Sequence, residues 1–341
     1  MKADNKHNIL FINMAKGFGG GEVQTEQLML NLDGYTLYFL GKKHSKLAEK
    51  LAQAGKNIRI ITFMQALKLA LCTKQLIIHA QDGRGAHIAG LLKLISRKPI
   101  VITRHVSFPL KRKISSFAYK IADQLVGVSS QVSEVLAKIN PNTQTIHGCL
   151  KPLQEDLAFE EHYFKPKKGL LRIGHIGNLQ EVKNFPLTIK LAKIFPQLEF
   201  YIVGSGPLEQ VLKEEAKGLS NLTFIPFTPY IGSVLKHLDL QIIPSHLEGL
   251  SMVILEGYQY QVPVIAHATG GIPDIVEQGK TGFLIKKNDA SAYQEIIEDL
   301  LQNPEQLHKL KAHIHHYQSI KDFSAQRMAK EYKEIYLSIV K

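Results

Sequence analysis

Two cysteines, Cys72 and Cys149, are all that this chain of 341 residues carries. They lie far apart, in apolar or turn contexts, and offer neither a disulfide framework nor a metal-ligand spacing. No run of eighteen apolar residues is free of charge, so no bilayer-spanning helix is expected. The early apolar run ILFINM is short and leads to no cleavage-site pattern, so no signal peptide is expected and the expected compartment is the cytoplasm. No closely spaced carboxylate pair and no histidine cluster calls for a metal, and no cofactor is expected. The most telling shortage is local. Residues 83–122 hold nine basic residues (Arg84, Lys93, Arg97, Lys98, Arg104, Lys111, Arg112, Lys113, Lys120) and no Asp or Glu.

Most of the net charge of +12 therefore sits in one stretch. Nucleic acid is not the expected partner, because aromatic interleaving and any helix-turn-helix or RNA-binding signature are missing. An anionic membrane surface or an acidic acceptor fits better, placing the protein peripherally on the inner face of the cell membrane. The segment PLKRKISSFAYKIAD, read as a helix, puts Ile114, Phe117 and Ile121 on one face with lysines beside them. Lys111, Arg112 and Lys113 are the expected contact cluster, whereas Arg104 ends a buried strand and points elsewhere. A core-facing helix with a wet basic back accounts for the same pattern.

A chain of this length exceeds the size at which one hydrophobic core stops growing, so two domains are expected. Strand-like runs (NILFIN, TLYFL, NIRIIT, QLIIHA, PIVIT, QLVGVSS) alternate with helix-like ones, as in a parallel sheet covered on both faces. The alternation falters at the polar CLKPLQEDLAFEEHYFKPKKG, which reads as an inter-domain connection. It restarts at LLRIGHIG and continues through LEFYIVG, LTFIPF and DLQIIPS. The expected domains are 1–150 and 169–321, followed by a charged helical tail, 322–341.

Glycines gather where strands end. Gly17, Gly19, Gly20 and Gly21 follow the first strand, and Gly174, Gly177, Gly204 and Gly206 recur in the second half. Such turns let a ligand approach the backbone closely. The dinucleotide fingerprint fits KGFGGGE poorly, because the acidic ribose partner after the next strand is missing. The segment PSHLEGLSMVILEGYQYQVPVIAHATGGIPDIVE sets Glu248 before an expected helix start and Glu256 about two turns inside it. A helix beginning there aims the amides of Gly249, Leu250 and Ser251 at one point, a site for phosphate. Carboxylates near both ends of a diphosphate-binding turn suit the hydroxyls of a nucleotide-sugar. A helix N-terminus with two solvated acids is the plainer alternative.

Five motifs in order carry a resemblance. They are the turn at Gly19 and Gly20, GNLQEVKN with Lys183, VGSGPLE with Gly204, the glutamates Glu248 and Glu256, and Gly270-Gly271-Ile272-Pro273-Asp274. Together they resemble the family-4 retaining glycosyltransferases of the GT-B fold over nearly the whole chain. The resemblance implies two Rossmann-like parallel-sheet domains facing across a cleft. The first would bind acceptor, with the C-terminal helix packed back on it, and the second a nucleotide-sugar. It implies a metal-independent, hexosyltransferase-like enzyme that transfers sugar to a glycan or lipid-linked acceptor in bacterial envelope polysaccharide or lipopolysaccharide synthesis. In this pattern Lys183 stabilises the departing diphosphate, Glu256 binds ribose hydroxyls and Glu248 meets the donor sugar or its phosphate. The backbone around Phe227 lies where the base stacks, and His105 orients acceptor or donor sugar. One departure is Asn178, where the family usually has arginine; a neutral amide there shifts charge neutralisation onto Lys183 and the helix N-terminus. A weak or inactive relative that binds nucleotide-sugar, or another GT-B enzyme such as a sugar-nucleotide epimerase, is the alternative.

Overall fold

The computed structural model describes residues 7–108, 113–166 and 171–340, and the side chains of all of these except 113–115. Two compact units divide the chain, Met1–Lys151 with Phe323–Lys341, and Pro152–Asp322. The first holds strands β1 (Asn8–Asn13), β2 (Thr36–Gly41), β3 (Ile58–Ile60), β4 (Leu76–Ala80), β5 (Ile100–Arg104), β6 (Gln124–Gly127) and β7 (Thr143–Thr145). They form one parallel sheet ordered β3-β2-β1-β4-β5-β6-β7. The second unit holds β8 (Arg172–Ile176), β9 (Glu199–Val203), β10 (Leu222–Ile225), β11 (Leu240–Ile243), β12 (Val264–His267) and β13 (Gly282–Ile285). These pair in parallel as β10-β9-β8-β11-β12-β13. Both units are thus Rossmann-like.

The strands read as continuous apolar runs because both faces of each sheet are covered. The period-2 alternation of side chains splits β1 between two cores. Ile9 and Phe11 join Leu28, Met29, Tyr332 and Tyr336 on one face, while Leu10 and Ile12 join Ala66, Ala89 and Leu92 on the other. Tyr332 and Tyr336 come from the last helix, Ala325–Ile339, which packs on the helix Gly20–Asn31. Arg327 ties that helix down by donating to the carbonyls of His147 (2.8 Å) and Gly148 (3.0 Å).

The polar segment read as an inter-domain connection contains a helix, Leu157–Tyr163, belonging to the second unit. Its Asp156 caps the amide of Phe159 at 2.7 Å, and Phe159 packs on Tyr163 and Tyr230. A polar segment thus becomes helical because two aromatics anchor one face.

In each sheet the strand order reverses once, between β1 and β4 and between β8 and β11. At such switch points the loops after neighbouring strands diverge to opposite faces and leave a crevice at the carboxyl ends. Two glycines are compelled there. Gly204, after β9, has φ +139, and a Cβ would lie 2.0 Å from the Gly177 carbonyl oxygen. Gly270, after β12, has φ +59, and a Cβ would lie 1.9 Å from the Glu248 carbonyl oxygen. These close approaches bind the loops after β8, β9, β11 and β12 into one assembly.

Candidate active site

The crevice of the second unit is built from β8 and β11. Past β8, the amides of Gly177 and Leu179 donate to the carbonyls of Val203 (2.9 Å) and Ser205 (3.2 Å), prolonging the sheet contact. A 3-10 turn, Glu181–Lys183, follows, closed by Asn184 in the left-handed region that asparagine tolerates. Pro186 then starts the helix Phe185–Ile194. This tight turn delivers Lys183, whose Nζ lies 2.6 Å from Oε1 of Glu248. The His246 amide donates to the Val182 carbonyl at 2.8 Å, stitching the two loops beneath that pair. Glu248 is 8% exposed. The carbonyl of Gly249 accepts from the Gly271 amide at 2.8 Å, so the β12 turn supports the same loop.

Here the expected helix start is corrected. Ser251 adopts a left-handed conformation (φ 62, ψ 64), and the helix runs only over Met252–Tyr258. Glu256 lies on it, but Glu248 sits in a loop rather than along the same helical side. The amides of Gly249, Leu250 and Ser251 are loop amides, and no backbone carbonyl of the described residues accepts from them. Seven helical residues supply a weak dipole, so positive charge at this crevice rests chiefly on Lys183. Among the described residues, Ser251 Oγ and Ser245 Oγ are buried without a hydrogen-bond partner. Asn178 is exposed at the rim. Phe227 is 66% exposed beside Gly204, its amide donating to Ser205 Oγ at 3.0 Å.

The sequence reading missed His175, which lies buried beneath Lys183. Its ring stacks on Phe185 at 3.8 Å, and Nδ1 lies 2.8 Å from Thr188 Oγ1. Burial, helped by the Lys183 charge, pushes it well below the usual histidine range, so it adds bulk and no charge.

In the first unit the same topology gathers Gly19, Gly20 and Gly21 after β1, Gln81 after β4 and His105 after β5. The Gly19 amide donates to Glu22 Oε2 at 2.8 Å, which fixes the start of the helix Gly20–Asn31. Gly21 leaves room for the His105 ring, which a Cβ would approach to 3.3 Å. His105 Nε2 meets Gln81 Oε1 at 3.0 Å, and Gln81 Nε2 meets His79 Nε2 at 3.0 Å. His79, fully buried, also touches Tyr336 Oη (2.6 Å) and Thr103 Oγ1 (2.8 Å); Thr103 in turn reaches Tyr332 Oη (2.9 Å). A polar chain thus runs from His105 to the last helix. Its members are scattered in sequence, and only the polar Gln81 at the end of an apolar strand hints at it.

Of the basic stretch, Lys111 and Arg112 lie outside the described residues, as do the side chains of Lys113 and Ile114. Arg104 is buried against Tyr119 and the Phe108 carbonyl, and Lys93 pairs with Asp123. Among the described residues, no group of three His, Cys, Asp or Glu side chains is placed to hold a metal. No helix among them is long and apolar enough to cross a membrane. A cavity of about 680 Å³ lies at the opposite end of the second sheet, near Arg172 and Asp239. Several of its charges are paired, Arg172 with Glu199, Lys236 with Glu155 and Lys311 with Asp239.

Burial holds His79 down at about 3, with the nearby His105 adding to the shift, and holds His105 at about 4. Both are neutral in the fold at pH 7. An unfolded histidine titrates near pH 6.5. Below that pH the unfolded chain takes up protons that the fold refuses, so stability falls as pH drops through this window. For His79 the loss is ~2 kcal/mol between pH 7 and pH 5. Urea unfolding at both pH values should show wild type losing about that much more than His79→Gln, and equal losses would refute a buried neutral His79.

Residues 159–316 match the family model for Glycosyl transferases group 1. An uncharacterized glycosyltransferase of Haemophilus influenzae is 28% identical over 51% of this chain, which spans only about half (48%) of that relative's length. The capsular polysaccharide biosynthesis glycosyltransferase CapM of Staphylococcus aureus is 24% identical over 91% of each chain. HepE of Anabaena, crystallised with UDP and with UDP-glucose, superposes with a TM-score of 0.84 at 18% identity in the UDP complex, covering 97% of this chain and 100% of that one. Residues 159–316 are accordingly a Glycosyl transferases group 1 domain, and the chain has the GT-B fold.

Proposed function

We propose that the protein is a retaining, metal-independent glycosyltransferase that moves a sugar from a nucleotide-sugar to a glycan or lipid-linked acceptor. The observation that carries this reading is the Lys183–Glu248 pair, held at the switch point of the second sheet beside three loop amides. Anions need donors, and sugar hydroxyls need acceptors. Lys183 with the amides of Gly249, Leu250 and Ser251 would hold the diphosphate, while Glu256 would accept from ribose hydroxyls. Glu248 would orient Lys183 through one oxygen and meet the donor sugar through the other. Phe227, a large exposed apolar side chain, offers the base a stacking surface. Gly204 keeps the loop beneath it narrow, and Asn178 adds a neutral amide at the rim.

During transfer the bond from the anomeric carbon to the diphosphate oxygen breaks, one to the acceptor oxygen forms, and the acceptor's hydroxyl proton passes to the departing diphosphate. Negative charge grows on the leaving oxygen, where a preplaced ammonium stabilises the transition state more than the ground state. His105, uncharged at neutral pH, would hydrogen-bond a hydroxyl of acceptor or donor sugar near the turn at Gly19, Gly20 and Gly21. The UDP ligands of HepE and the capsular role named for CapM support a nucleotide-sugar donor and an envelope polysaccharide as product.

A peripheral place on the cytoplasmic membrane face is part of the proposal. Leu91, Leu94, Ile95 and Phe117 are exposed, and their helices meet where Gly90 faces Ala118. Arg97, Lys98 and Lys120 neighbour them in sequence, suiting anionic lipid. Co-sedimentation that ignores lipid charge would count against this placement.

Lys183→Ala should lower turnover more than donor affinity. Glu256→Ala should weaken donor binding by ~1.5–3 kcal/mol, the worth of hydrogen bonds to a charged acceptor. Release of nucleoside diphosphate from UDP-, GDP- and ADP-linked sugars, with and without acceptor, measures both. Wild-type behaviour in both variants would refute the assignment, and donor binding without release would mark a binding protein instead.

A further inference from the structure

The carboxyl end of the first sheet carries positive charge that the donor site does not use. Strands β2, β1 and β4 are neighbours, with ends ~4.8 Å apart from one strand to the next. Lys42 directly follows β2, Lys16 lies in the loop after β1 beside the glycine turn, and Arg84 opens the helix Gly83–Ser96 after β4. Three adjacent strand ends thus each contribute a cation. The acid among them, Asp82, is already committed. Its Oδ1 accepts from the amides of Met14 and Gly85, both at 2.9 Å, and Oδ2 from the Arg84 amide at 3.3 Å.

Among the described residues, no carboxylate forms an ion pair with Lys16, Lys42 or Arg84. Lys16 and Arg84 are exposed and Lys42 is half-buried. Burial, then the like charges of Lys16 and Arg84, push the Lys42 ammonium below its ordinary value, with Asp82 opposing. Three cations set against Asp82 leave this sheet end with an excess of positive charge, a place that an anion stabilises. They share the sheet end that carries the glycine turn and His105, where the acceptor is proposed to sit.

We propose that Lys16, Lys42 and Arg84 form a binding site for a phosphoryl group on the acceptor, either a phosphomonoester or a diphosphate. The identification with an acceptor rests on the transferase reading, whereas anion binding by these side chains does not. The phosphoryl group can belong to a soluble sugar phosphate or to a lipid.

Calorimetric titration of the full chain with inorganic pyrophosphate tests the site. Lys183→Gln should remove donor-site binding and leave a second component. That component should weaken at least about tenfold when Lys16→Gln, Lys42→Gln and Arg84→Gln are added together, and should weaken with salt. Among the described residues the three side chains form no ion pair, so the melting temperature should stay at its starting value. Pyrophosphate binding that vanishes with Lys183→Gln alone, or that survives the triple substitution unchanged, overturns the proposal. If Lys183→Gln changes nothing while the triple substitution still weakens binding, the anion site stands and the donor assignment fails. Glucose 1-phosphate and phosphatidic acid vesicles then separate the sources. Sensitivity of either to the triple substitution supports the site, and insensitivity of both overturns it.

Discussion

The second unit is organised around one ion pair. Lys183 and Glu248 come from loops 65 residues apart in sequence and meet at 2.6 Å because β8 and β11 are neighbours at the switch point. Such a pair gains little net stability from its own attraction, since desolvating both charges offsets much of the Coulomb energy. Its consequence is positional. Removing either partner strands a buried charge, at a cost of ~3–5 kcal/mol for a fully buried pair and less here because Lys183 is partly solvated. The glycines at 204 and 270 and the His246 to Val182 hydrogen bond make the approach possible. In the proposed reading a diphosphate entering this crevice would compete with Glu248 for the same ammonium, which Glu248 orients at 2.6 Å.

The first unit meets the same topological situation with different chemistry. Where the second places a charge pair at its switch point, the first places a neutral chain through His105, Gln81, His79 and Tyr336. Imidazoles held uncharged suit hydrogen bonding to hydroxyls, and the cations at this sheet end lie in exposed or half-buried positions. The last helix belongs to this arrangement, because Tyr332 and Tyr336 complete the hydrogen bonds of Thr103 and His79.

Much of this was legible in sequence, for physical reasons. Strands covered on both faces must be continuous apolar runs, so NILFIN, QLIIHA and DLQIIPS announced parallel sheets. Glycines forced by backbone contact announced the loops that line the crevice at the carboxyl ends of the strands. The rest depended on tertiary proximity. Ser251 takes a left-handed conformation in a loop supported by Gly270 and Gly271, which moved the helix start past the glutamate turn. The helix Leu157–Tyr163 was hidden by its polar composition, although Asp156 three residues before Phe159 is a capping signal. The pairing of Gln81 with His105 follows from strand adjacency, which composition does not express. Lys93 looked like free surface charge and pairs with Asp123 within the fold.

The central claim is that Lys183, presented by Glu248, recognises the diphosphate of a nucleotide donor. Titration calorimetry with uridine, UMP and UDP tests it most directly, in wild type and in Lys183→Met. The account predicts that affinity rises at each added phosphate in wild type and that Lys183→Met abolishes the step from UMP to UDP while leaving uridine binding intact. Equal affinity for uridine and UDP in wild type, or a UMP-to-UDP step that persists in Lys183→Met, would contradict it.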